Sequence, residues 1–150
     1  MGAVTFPEPK VIDFINGNVI PLRLPHDHKP LEEKFQVKRT PCLVTLDSEG
    51  SEHHRTVGFL PPEELIPSLL LGTAKVQFDH EAFGKALPRL EAIFKEHPKR
   101  GAAPEAIFLH GVCLYKTTHE AKPLKAAYEK LRAEYPESEW TKRASPYRLL

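Results

Sequence analysis

Only two cysteines, Cys42 and Cys113, occur in the sequence, far apart and in unlike surroundings. That count supports no disulfide framework and no thiolate zinc site, which needs paired ligands at short spacing. No Cys-x-x-Cys pair is present, and a reducing, cytoplasmic setting is the expectation. Excess charge of one sign is equally lacking. Charged residues make up 27% of the chain but leave a net charge of +1, so no strong field draws nucleic acid, an anionic membrane or an acidic substrate. No run approaches the about 18 apolar residues of a membrane span, and the residues behind Met1 lack the basic-then-apolar order of an export signal. There is no Gly-rich phosphate loop, no Ser/His/Asp order and no paired-carboxylate setting. Nothing supports a hydrolase or a nucleotide enzyme, and no cofactor is expected.

What the chain does have is proline, 15 residues of it against 8 glycines, a balance that implies sharply bounded helices and stiff turns rather than low complexity. A chain of 150 residues suits one domain or two small packed units. At that length folding buries roughly 70% of the unfolded surface, enough for a core without staples.

Val11, Ile12, Phe14 and Ile15 have the spacing of a short amphipathic helix that opens near Pro7 and Pro9 and ends at Asn16-Gly17-Asn18. Residues 19–24, bounded by Pro25, read as a buried strand, and residues 30–35 as one or two helical turns. The best strand signal covers residues 37–46. Asp47-Ser48-Glu49-Gly50 is a turn by composition, and residues 51–59 close a hairpin. From Pro61 onward the pattern is helical, with Glu63 and Glu64 complementing a helix N-terminus. Pro67 suggests an irregular first turn, Asp79 an N-cap for the next helix, and Pro88 a kink within it. Helices are also expected over 106–115 and 124–135, the second with Leu124, Ala127, Tyr128 and Leu131 on one face. Pro98 and Ala106 recur as Pro136 and Ala144, an offset of 38 residues that aligns Leu90 with Tyr128 and Ile93 with Leu131.

Val37, Thr40-Pro41, Leu43-Val44, Leu46-Asp47 and Gly50, followed by Val57-Gly58-Phe59 and Pro61-Pro62-Glu63-Glu64, resemble the second half of thioredoxin-like domains. Residues 5–24 look like the end of that family's first helix and the strand after it. Residues 79–147 look like tetratricopeptide-type repeats, including the Tyr135-Pro136-Glu137-Ser138 junction ahead of Trp140. The resemblances imply an α/β N-terminal part over 1–71, thioredoxin-like but incomplete because its first strand is missing, and an all-α tetratricopeptide-like helical array over 72–150. They further imply that Pro41 is a cis-proline and that Thr40 and Pro41 face a bound peptide. The family's Cys-x-x-Cys would lie at the start of the first helix, so its absence reads as loss of the element rather than replacement of two thiols. The missing strand would lie between 19–24 and 43–46 and leave unpaired edges, filled either by an upstream segment or by pairing of two copies into a homodimer.

Cys42, directly after Pro41, is the one weak catalytic candidate, and a small packed residue of the strand is the plainer reading. Cys113, among Val112, Leu114 and Tyr115, reads as buried. His26-Asp27-His28 and His53-His54 read as solvated turn and hairpin residues: a turn with alternating histidines has no fixed ligand geometry, and adjacent residues of a strand face opposite ways. No metal site is expected. Tyr115, Tyr128, Tyr135 and Trp140 read as core between helices rather than as a peptide groove, with the Arg148-Leu149-Leu150 tail lying over the sheet part. The expected function is a noncatalytic thioredoxin-fold interaction module with a protein or peptide partner. The alternative is a thiol-disulfide oxidoreductase whose Cys-x-x-Cys lies upstream.

Overall fold

The computed structural model describes all of residues 1–150. In chain order it holds α1 (Pro9–Asn18), α2 (Lys29–Phe35), β1 (Cys42–Leu46), β2 (Glu52–Val57), α3 (Pro62–Asp79), α4 (Phe83–Glu96), α5 (Ala103–Thr118), α6 (Lys122–Glu134), α7 (Glu139–Ala144) and a closing 3-10 helix (Ser145–Leu149). The protein is therefore mostly helical, 59% of its residues, and its sheet is one antiparallel hairpin. The strand expected over 19–24 does not form. A strand exists only with a neighbour to satisfy its backbone, and no third strand is present. Ile20 and Leu22 remain 98% and 75% exposed.

Proline organises the helix starts. None of α1 to α6 has a side-chain cap, whereas α1, α2, α3, α5 and α6 each carry Pro in the first two positions. There the missing N–H costs nothing and the fixed φ already suits the helix. Pro67 and Pro88 are both inside helices, α3 and α4, and Pro67 is fully buried. Asp79 is no N-cap: α3 runs through it, and α4 begins after Ala82 without a side-chain bond.

The main core joins Leu71 and Ala74 of α3, Ala86, Leu90 and Ile93 of α4, and Ala103, Ala106, Leu109 and Cys113 of α5. A second cluster of Ile107, Ala127, Leu131 and Ala144 ties α5 to α6 and α7, with Tyr128, Tyr135 and Trp140 packed on it. The residue 71/72 boundary falls inside α3, which packs on the hairpin, on α1 and on α4. The 3-10 helix packs on α6 and α7, not on the sheet, and Leu149 and Leu150 are exposed. Residues 38 apart occupy matching places: Ile93 and Leu131, and Ala106 and Ala144, are fully buried pairs. His97 and Tyr135 close α4 and α6 with near-equal backbone angles (φ −127°, ψ 45° and φ −138°, ψ 57°). The Tyr135 hydroxyl donates to the Pro98 carbonyl, so the two turns touch.

Gly111 sets the α5–α6 approach, because a Cβ there would meet the Ala127 Cβ at 2.6 Å and the Pro123 carbonyl carbon's oxygen at 3.1 Å. Gly84 has nothing within 4 Å. Alanine stabilises a helix interior by about 1 kcal/mol over glycine, and Gly84→Ala, in the first turn of α4, is expected to gain part of that. Gly111→Ala should instead destabilise by about 1–3 kcal/mol through overpacking. Urea midpoints of the two variants check the contrast, and a Gly111→Ala midpoint at or above that of the native chain would contradict this packing.

Candidate functional site

Thr40 and Pro41 stand at the entrance to β1, Thr40 exposed and Pro41 half-buried, joined by a cis peptide bond. Cys42, half-buried, is the first residue of β1. The register pairs Cys42 with Val57, Leu43 with Thr56 and Val44 with Arg55, and the Gly58 N–H donates to the Pro41 carbonyl at 2.8 Å. Antiparallel ladders alternate, so Pro41 and Leu43 direct their backbone groups to β2 while Cys42 and Val44 direct theirs to the other side. No strand lies there. Val57, the last residue of β2, and Phe59, two residues beyond it, are exposed apolar residues on the β2 side of the hairpin. Cys113 is fully buried in the helical core, and that burial pushes its thiol up to about 11.

A second set of side chains gathers at the opposite end of the hairpin. Asp47 opens the turn, and its Oδ1 accepts from the Glu49 and Ser51 N–H groups at 2.9 and 2.8 Å. Such a side-chain turn is what Asp favours, and Gly50 supplies the left-handed residue, φ +82°, that completes it. This fixes Oδ2 toward His53 of β2, whose Nε2 lies 3.0 Å away. Nδ1 of the same ring lies 2.6 Å from Asp79 Oδ2 at the end of α3. His80, the next residue, brings Nε2 within 3.2 Å of Asp47 Oδ2, and the two imidazoles meet edge to face with centroids 5.4 Å apart. The Asp47 and His53 side chains are only 5% and 9% exposed, while those of Asp79 and His80 are about half exposed.

Carboxylates face both ring nitrogens of His53 and favour its charged form. Asp79 first and Asp47 second hold its pKa above the ordinary value. His53, then the Ser51 N–H, pulls Asp47 well below the usual carboxylate range. His54 faces the other way, as strand alternation requires, with Nε2 3.4 Å from Ser68 Oγ. Burial, helped by the Lys75 charge, pushes it down to about 4.

The solvated reading of His26 and His28 agrees with their exposure, but that of His53 and His54 is corrected. The C-terminal turn of α3 covers one and the body of α3 the other, so neither stands in solvent. Sequence reasoning missed the convergence of Asp47, Asp79 and His80 on His53. No spacing rule links these segments; the one signal is that Asp79-His80 stands where the apolar run of α3 gives way to polar residues. Compared with family models, curated proteins and solved structures, the chain matches none of them.

The two histidines act oppositely on stability. His53, raised when folded, stabilises below its unfolded pKa, and the contribution fades as pH rises through the folded value. His54, depressed when folded, stabilises above its unfolded value near 6.5, and the contribution is lost as pH falls toward 4. Ring-proton NMR titration should find His53 charged above pH 6.5 and His54 neutral down to about pH 4. In His54→Gln the loss of thermal stability between pH 6.5 and 4 should shrink; an unchanged acid slope would contradict the assignment.

Proposed function

We propose that this chain is a noncatalytic protein-interaction module, an incomplete thioredoxin-like hairpin carried by a tetratricopeptide-like helical array, that takes up an extended segment of a protein partner along β1. The open edge of β1 carries the reading. The N–H and C=O groups of Cys42 and Val44 have no partner in the chain, directly behind Thr40-Pro41. An added strand would satisfy them and gain affinity from main-chain hydrogen bonds. The matched ends of α4 and α6 and the buried residue pairs 38 apart support the repeat reading of the helices. A second copy of the chain is one protein partner that would serve the same edge.

The second reading is a thiol-disulfide oxidoreductase in which an upstream strand bearing Cys-x-x-Cys fills this edge. Its motive is the apolar run at 19–24, in which Ile20 and Leu22 are largely exposed and which has no strand to pair with. Insulin reduction by the chain and by an upstream-extended product separates the two, since only the extended product would be active under the second reading.

Decapeptides selected from a random phage library against the full chain are expected to bind and to shift the backbone amide resonances of Cys42 and Val44. Val44→Pro, which removes an edge-facing N–H at a position an edge strand tolerates, should weaken binding at least about 10-fold while the β1–β2 ladder persists. Selected peptides that leave the residue 42–46 amides unshifted would overturn the assignment of this edge.

A further inference from the structure

The cluster at the turn end of the hairpin has no part in strand addition, and its donor atoms are arranged for a different ligand. We propose that Asp47, His53 and His80 form a mononuclear site for a divalent transition-metal ion of the Zn2+ class, with Asp79 as the positioning carboxylate that orients His53.

One ligand atom from each of Asp47, His53 and His80 lies within 4.8 Å of the others. Asp47 Oδ2 is 3.0 Å from His53 Nε2 and 3.2 Å from His80 Nε2. Around an ion with bonds of about 2.0–2.1 Å in tetrahedral geometry, neighbouring ligand atoms stand roughly 3.3–3.4 Å apart. The two Asp47–histidine distances are within a few tenths of an ångström of that spacing, and the His53 and His80 ligand atoms lie within 4.8 Å of each other. Two imidazoles and a carboxylate suit Zn2+ and its neighbours, whereas Ca2+ and Mg2+ favour all-oxygen sets.

The outer contacts are those a metal site uses. Ligating histidines donate their other N–H to a carboxylate or carbonyl, and ligating carboxylates are themselves hydrogen-bonded. Here His53 commits Nδ1–H to Asp79 and keeps Nε2 for the centre. Asp47 commits Oδ1 to two backbone N–H groups and keeps Oδ2. His80, half exposed, gives the ion a way in from solvent and leaves a fourth position to water. The two carboxylates balance the charge of a divalent ion. His26 and His28, in an exposed turn, have no such supporting contacts.

The exchange balances. A proton carried by His53 Nε2 in the free protein lies toward Asp47 Oδ2. On binding, that proton passes to buffer, the nitrogen lone pair forms the metal bond, and Nδ1–H stays on Asp79.

Titration calorimetry of the full chain with Zn2+ is expected to show one tight site, with proton release read from enthalpies in two buffers of different ionisation heat. Co2+ should give the intense visible absorption of a tetrahedral complex. His53→Asn and His80→Ala should each weaken Zn2+ binding at least about 10-fold, and Asp79→Asn by about 10–100-fold, while a His26→Ala/His28→Ala double variant binds as the native chain does. His80 is exposed enough for its alanine variant to fold, which circular dichroism checks, so that variant decides. No binding of Zn2+, or binding unchanged in His80→Ala, overturns the site.

Discussion

A two-stranded hairpin is marginal in water by itself, and here its fixed geometry depends on the contact between β1 and the backbone of α3. A Cβ at Gly72 would collide with the Thr45 side chain and come within 3.3 Å of His54 Cδ2, so only glycine lets the helix lie this close to the strands. Ser68, one turn earlier, accepts or donates to Thr56 Oγ1 at 3.1 Å and reaches His54. On its other side the same helix sends Leu71 and Ala74 into the core shared with α4 and α5. The order of dependence runs from helical core to α3, from α3 to hairpin, and from hairpin to both candidate sites. Because α3 also ends in Asp79-His80, one rigid element sets the open edge of β1 and one wall of the His53 cluster.

The abundance of proline makes sense against the lack of capping side chains. Among the seven α-helices only α7 has a side-chain cap, Ser138 accepting from the Trp140 N–H at 3.2 Å. The other helices begin on fixed φ angles or on unassisted turns, which shifts the specification of helix starts from hydrogen bonding to backbone restriction. The two interior prolines fall six residues into their helices. Pro88 lies on the second turn of α4, and Pro67 is packed as a core residue.

Helices α3 to α6 were readable because each carries an apolar stripe over three or more turns, a pattern set within the segment itself, whereas α7, six residues long, is too short to show one. The hairpin was readable for the same local reason, Asp47 and Gly50 announcing a turn between two β-branched runs. Residues 19–24 mislead because their composition states a preference for extended backbone and says nothing about whether a neighbour exists to pair with it. Asp79 misleads because a good capping residue is also a good partner for histidine, and only the length of α3 decides between the two. The opposite orientation of His53 and His54 followed from alternation alone. Their burial did not, because what covers each face comes from a helix that begins after the hairpin closes.

The span between α1 and β1 is fastened differently from everything else. α2 has no neighbouring helix or strand, and residues 20–30 are exposed throughout. Its firmest polar tie is Arg55, whose guanidinium donates to the Phe35 carbonyl at 2.6 Å while gripping Glu52 at 2.6 Å. Local opening costs least where buried contacts are fewest. Opening of this segment therefore breaks no contact of the helical core, which holds its fold without it.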